Sequence, residues 1–123
     1  MTVDSVYRTN LTKFKTDMDN RQKEQLTNRA EVSEKAVEAY LVAEAKKRGL
    51  LCLKYSNSNR VGFPDRILLL PGSRVAWVEL KSKGKRPSPI QTVRFRELRD
   101  QRHQVYVADS RETVDIIFAT LGL

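Results

Sequence analysis

Two apolar runs, RILLL from Arg66 to Leu70 and RVAWVEL from Arg74 to Leu80, are separated only by Pro71-Gly72-Ser73. Turn residues between two β-prone runs predict an antiparallel hairpin. Side chains alternate along a strand, so Ile67, Leu69, Val75 and Trp77 fall on one face and Leu68, Leu70, Ala76, Val78 and Leu80 on the other. Both faces are apolar, which predicts a central sheet covered on both sides.

The same alternation organises the charged residues at the hairpin's open end. If the turn is three residues long, Leu70 sits opposite Arg74, and one more step past the apolar run sets Asp65 opposite Glu79. Glu79 and Lys81 then share a face while Leu80 points the other way. An even loop or one uncompensated bulge would send Asp65 to the far side. Two facing carboxylates repel, and a divalent cation between them removes the conflict. Oxygen-only donors favour Mg²⁺ or Mn²⁺, and no Cys/His spacing suits zinc. Such an ion polarises a phosphodiester and activates water, with Lys81 orienting that water or stabilising developing charge. In a chain with 31% charged residues, an Asp and a distant Glu-x-Lys arise easily by chance. Their clustering at strand ends, beside Gly62 and Pro64, is what distinguishes them.

The remaining elements follow from periodicity and punctuation. A helix is expected from a cap at Asn28 or Ser33 to about Arg48, ending at Gly49, with Val37, Leu41 and Ala45 inward. Glu34 lies in register with that face, and Glu31 or Glu38 are alternatives for the same role. Leu50–Tyr55 reads as a strand, and 56–62 as a polar loop over the site. Ser88-Pro89-Ile90-Gln91 is a capping box with proline at the first helical position, which explains Gln91 structurally. Val105–Ala108 reads as a strand and Arg111–Leu121 as a closing amphipathic helix. Trp77 is expected in the core, His103 at the surface or in a capping role, and Cys52 as a buried structural thiol.

The formal net charge of +8 and pI near 9.9 imply a polyanionic partner, most commonly nucleic acid. Arg60, Lys83, Lys85, Arg86 and Arg94 are the expected phosphate contacts. An anionic membrane surface is the rival, but the helix around Arg94–Arg102 lacks an adequate apolar face. No run is apolar enough to span a bilayer, and no signal-peptide pattern opens the chain, so a cytoplasmic protein is expected. A lone cysteine suits a reducing compartment. Residues 1–28 read as a polar extension with a partial stripe (Leu11, Phe14, Met18, Leu26) and basic residues Arg8, Lys13, Lys15, Arg21 and Lys23. Residues 29–123 form the domain.

Taken together, Gly62-x-Pro64-Asp65, Glu79-x-Lys81 and Ser88-Pro89-x-Gln91 resemble the VRR-NUC branch of the PD-(D/E)XK nucleases. The resemblance implies an α/β fold with a helix, three strands, a helix and a strand around a mixed sheet. It implies a Mg²⁺- or Mn²⁺-dependent DNA endonuclease with Asp65 and Glu79 as metal ligands and Lys81 as the catalytic lysine, with Glu34 and Gln91 assisting and Glu34 also toward the metal. Small stand-alone members look like viral or phage enzymes, some of them homodimers acting on four-way junctions. A monomeric flap or nicking nuclease and a non-catalytic DNA-binding module are the alternatives.

Overall fold

The computed structural model describes residues 20–123, with side chains described at Arg21 and from Glu34 onward. The readings placed on Arg8, Leu11, Lys13, Phe14, Lys15 and Met18, and on the side chains of Lys23, Leu26 and Glu31, lie outside the described residues. The element order is α1 (Asn20–Lys47), β1 (Leu51–Lys54), β2 (Arg66–Leu70), a 3-10 turn (Pro71–Ser73), β3 (Arg74–Leu80), α2 (Pro89–Asp100), β4 (Gln104–Ala108) and α3 (Arg111–Thr120). The expected helix, three strands, helix, strand and closing helix are all present.

One boundary differs by more than a residue. α1 begins at Asn20, so Asn28 and Ser33 lie inside it and neither caps it. Good helix formers, among them Gln22, Lys23, Glu24, Gln25 and Leu26, carry the helix through two residues whose capping preference is only local. The division at residue 28 therefore falls within a continuous helix.

The sheet order is β1-β2-β3-β4. β1 and β2 pair antiparallel from Leu51↔Leu69 to Lys54↔Arg66. β2 and β3 pair antiparallel from Leu70↔Arg74 to Arg66↔Val78, the register expected for a three-residue turn. Gly72 takes φ 75 and Ser73 φ 61, which closes that turn without a bulge. β4 lies parallel to β3, from Ala76↔Gln104 to Leu80↔Ala108, as a crossover through α2 requires.

Alternation decides the core. Leu68, Leu70, Ala76, Val78 and Leu80 pack with Val37, Leu41 and Ala45 of α1 and with Val114, Ile117 and Phe118 of α3. Tyr40 ties the two helices together by donating to Asp115 Oδ1 at 2.7 Å. That bond, with burial adding to it, pushes the Tyr40 phenol up to about 12. The other face carries a smaller cluster in which Phe95 and Leu98 of α2 cover Val105, with Phe63, Trp77 and Val107 against it.

The expectation of a sheet covered on both sides holds for only part of that second face. Leu51 is 60% exposed, Leu53 44% and Leu69 38%. α2 spans only 12 residues and connects β3 to β4, so it shelters those strands and leaves β1 and the outer part of β2 open. Cys52 faces the other way, opposite Leu68 and against the α1–α3 core, and on this edge strand it is half-buried, its thiol pushed up by burial.

Neighbouring leucines on β2 give a direct test of this asymmetry. Leu68→Ala, at a fully buried position, should cost about 2–5 kcal/mol in urea unfolding, whereas Leu69→Ala should cost about 1 kcal/mol or less.

Candidate active site

The hairpin places the acids as its register demands. Asp65 lies one residue before β2, and Glu79 is the penultimate residue of β3. The Asp65 backbone carbonyl accepts from Tyr55 N at 2.8 Å, which continues the β1–β2 ladder to this point. Its side-chain Oδ2 accepts from Leu80 N at 3.1 Å and so reaches across to β3 beside Glu79. Backbone bonds on both sides fix the aspartate before any ligand arrives.

Glu79 is 1% exposed. Its Oε2 accepts from Gln91 Nε2 at 2.7 Å and pairs with Lys81 Nζ at 3.0 Å. Its Oε1 is buried with no hydrogen-bond partner. Burial above all, opposed by the pull of Lys81 and aided by the nearby charge of Asp65, pushes the Glu79 carboxyl up to about 7. Leaving a buried carboxylate oxygen unsatisfied costs free energy, and a cation beside Asp65 would satisfy it. The donor set is oxygen-only, so it suits a hard divalent ion.

Gln91 unites two readings that the sequence left separate. Its backbone N donates to Ser88 Oγ at 3.3 Å, and its Oε1 accepts from Ser88 N at 2.9 Å, completing the capping box. The other end of the same amide donates to Glu79. An amide has one acceptor and two donors, so the helix cap aims the Nε2 group at the acid.

Glu34 departs from its expected surroundings. It is exposed, because it stands a turn beyond the inward-facing Val37, where α1 has passed the edge of the core. It lines a cleft of about 330 Å³ together with Lys35, Glu38, Lys54, Asp65 and Leu80. Among the described residues, however, no group of three His, Cys, Asp or Glu side chains could hold a metal ion. Asp65, Glu79 and Glu34 therefore do not form a preassembled three-carboxylate site. Glu38, the alternative, pairs with Arg66 at 3.2 Å. Lys35 and Lys54 were missed by sequence reasoning. For Lys54 the signal was the β1–β2 register, which pairs it with Arg66 next to Asp65.

The five expected phosphate contacts divide into two groups. Lys83, Lys85 and Arg86 are exposed on the loop between β3 and α2, which is tied down by a bond from Gly84 N to Asp109 Oδ2 at 3.3 Å. Arg60 and Arg94 both pair with Glu97, at 2.8 and 2.9 Å. Arg94 Nε also donates to Val61 O at 2.9 Å, so these two arginines latch the 56–62 loop onto α2. Asn57 Oδ1 accepts from the backbone N of Asn59 and of Arg60, which makes it a turn-former. Trp77 lies in an edge-to-face aromatic cluster with Tyr55 at 5.2 Å between ring centres. His103 is half-buried and accepts from Trp77 Nε1 at 3.4 Å, a more specific role than the capping expected of it.

A mixed sheet flanked by helices, with an acid before the second strand and an acid and a lysine at the end of the third, defines a PD-(D/E)XK-type α/β domain. The VRR-NUC domain model matches residues 11–112. The chain is 35% identical over 86 residues to "Putative nuclease p44" of Acyrthosiphon pisum secondary endosymbiont phage 1, covering 70% of this chain and 92% of the relative. A solved VRR_NUC domain superposes with a TM-score of 0.67 at 28% identity, covering 71% of this chain and 95% of the other. The chain belongs to the VRR-NUC family.

Two measurements probe the site without requiring activity. Because the folded carboxyl of Glu79 titrates near 7 rather than near 4.5, the native state binds more protons than the unfolded state between these values. Stability of the metal-free protein should therefore be fullest below about pH 4.5 and fall as pH rises to about 7. Asp65→Asn, which keeps an acceptor for Leu80 N, should flatten that slope in urea titrations at a series of pH values.

Ser88→Ala and Gln91→Ala separate the cap from the acid contact. Each should cost about 1 kcal/mol through the lost cap. Only Gln91→Ala should also move the Glu79 titration, read by NMR of a side-chain-labelled sample.

Proposed function

We propose that this protein is a Mg²⁺- or Mn²⁺-dependent DNA endonuclease that hydrolyses phosphodiester bonds. The observation that carries the reading is the buried Glu79 carboxylate, with one oxygen held by Lys81 and Gln91 and the other without a partner, next to Asp65. Asp65 and Glu79 are the residues that would hold the metal. When bound, it would supply Lewis-acid polarisation of the phosphodiester and a more acidic water.

The chain's own groups divide the remaining work. Lys81, 18% exposed at its side chain and fixed at the end of β3, presents an ammonium group for the nucleophilic water or the charge developing on phosphate. Gln91 keeps Glu79 in one rotamer. Glu34, which lines the same cleft as Asp65, assists from α1. The exposed Lys83, Lys85 and Arg86 lie on the chain segment that leads directly from Lys81, where they can hold phosphates without reading sequence. Arg60 and Arg94 join that surface only to the extent that substrate displaces Glu97.

The reading extends to branched DNA, four-way junctions in particular, on the strength of the resemblance carried by Gly62-x-Pro64-Asp65, Glu79-x-Lys81 and Ser88-Pro89-x-Gln91. Symmetrical cutting of two strands takes two active sites, which a two-fold homodimer supplies. The cytoplasm, with its reducing conditions, is the proposed compartment. Among the described residues no helix is long and apolar enough to cross a membrane.

Incubation with labelled four-way junction, flap and linear duplex, with Mg²⁺, with Mn²⁺ and with chelator, tests activity, substrate and metal together. Cleavage should require the ion. Lys81→Ala should lower the rate by about 10²–10³-fold with DNA binding retained, and Asp65→Ala or Glu79→Ala should abolish it. Tight DNA binding with no cutting under any metal condition would leave a binding module instead.

A further inference from the structure

Where β1 ends, two cations stand opposite each other. The register pairs Lys54 with Arg66, and residues opposed in this way have Cβ atoms about 5 Å apart on one face of the sheet. That face is the α1 side. Cys52 and Leu68, two residues away on each strand, pack in the α1–α3 core, and Arg66 Nε donates to Glu38 Oε2 of α1 at 3.2 Å.

Like charges directly opposed destabilise a pair of strands. Arg66 has support, because Glu38 takes its Nε proton and Cys52 O accepts from its Nη1 at 3.4 Å. Lys54 has none. Among the described residues its ammonium makes no hydrogen bond or ion pair, although Glu34, Glu38 and Asp65 line the same cleft.

A charge on an edge strand also deters pairing with another chain, and β1 is an edge of the sheet. Two further observations give Lys54 a different use. It shares the cleft of about 330 Å³ with Asp65, one of the two acids that would hold the metal. The bond from Tyr55 N to Asp65 O, one residue beyond the Lys54–Arg66 pair, fixes β1 one strand spacing, about 4.8 Å, from the aspartate's backbone. The cleft is lined by three acids and two lysines, Lys35 and Lys54. A divalent ion on Asp65 would turn that balance positive and suit it to a phosphodiester.

We propose that Lys54 is a DNA-binding residue that holds a backbone phosphate of the strand lying in this cleft. The inference rests on the nuclease reading for the owner of that phosphate. Repulsion from Arg66, a cost in the free protein, is relieved when the anion enters.

Lys54→Gln removes the charge and the repulsion together. It should therefore melt at or above the temperature of the parent. In chelator, where no cutting occurs, it should bind labelled duplex with a log–log salt slope shallower by about one. Lys54→Arg keeps the charge and should restore the slope. Lys46→Gln changes the net charge equally at an exposed position in the last turn of α1, about 18 Å along the helix from Glu34, and should keep the parental slope. With Mg²⁺ or Mn²⁺, Lys54→Gln should raise KM and leave kcat unchanged.

A parental slope in Lys54→Gln, or an equal loss in Lys46→Gln, would overturn the assignment. Aggregation of Lys54→Gln in light scattering, with its slope unchanged, would make Lys54 a guard of the sheet edge instead. A loss confined to kcat would place it in the chemistry and overturn the binding role. Failure of the parent to cut DNA would sink the nuclease reading by itself, because the slopes are measured without cleavage.

Discussion

A carboxylate buried to 1% exposure is expensive, and the arrangement of this domain follows from how Glu79 is accommodated. Moving an ionised carboxylate out of water costs several kcal/mol even after relaxation. Lys81 and Gln91 offset part of that through one oxygen, while the other has no partner and Asp65 adds a like charge nearby. The result is a site held in tension by its own charges. Such a site gains from a cation, and it also sets the proton affinity of Glu79 close to neutral.

Rigid supports surround this point. The β2–β3 ladder aligns the two acids, the β3–β4 ladder continues through a bond from Lys81 N to Ala108 O at 2.9 Å, and the capped start of α2 delivers Gln91. The approach to Asp65 is fixed from the loop side. At Gly62, φ is 101°, and a Cβ would come within 3.1 Å of Ile90 O. Only glycine lets the loop lie so close to α2, and the two arginines on Glu97 clamp it there. Charge that looked available for DNA is in part spent on building the site.

The charged and apolar surfaces are distributed unevenly for the same reason. α1 and α3 together build the main core on one face of the sheet, while α2 alone serves the other. Bringing Gln91 to Glu79 requires α2 to lie over β3 and β4. The open apolar strip at Leu51, Leu53 and Leu69 is the geometric consequence.

Local sequence settled the elements whose determinants are short-range. A three-residue turn and strict alternation fixed the hairpin register, hence the meeting of Asp65, Glu79 and Lys81, and Ser88 to Gln91 fixed the start of α2. What depends on distant partners needed the tertiary structure. Glu34 shares a helical face with Val37 and Leu41 but is exposed, because periodicity cannot say where the core ends. Asn28 and Ser33 resemble caps, yet a run of helix formers overrides them. Arg60 and Arg94 look free until folding brings both to Glu97, and Gln91 reaches Glu79 only when α2 packs on the sheet. Side-chain alternation is a property of the backbone and can be read from the chain. Which polar groups find each other across 12 to 37 residues is decided only when the layers close.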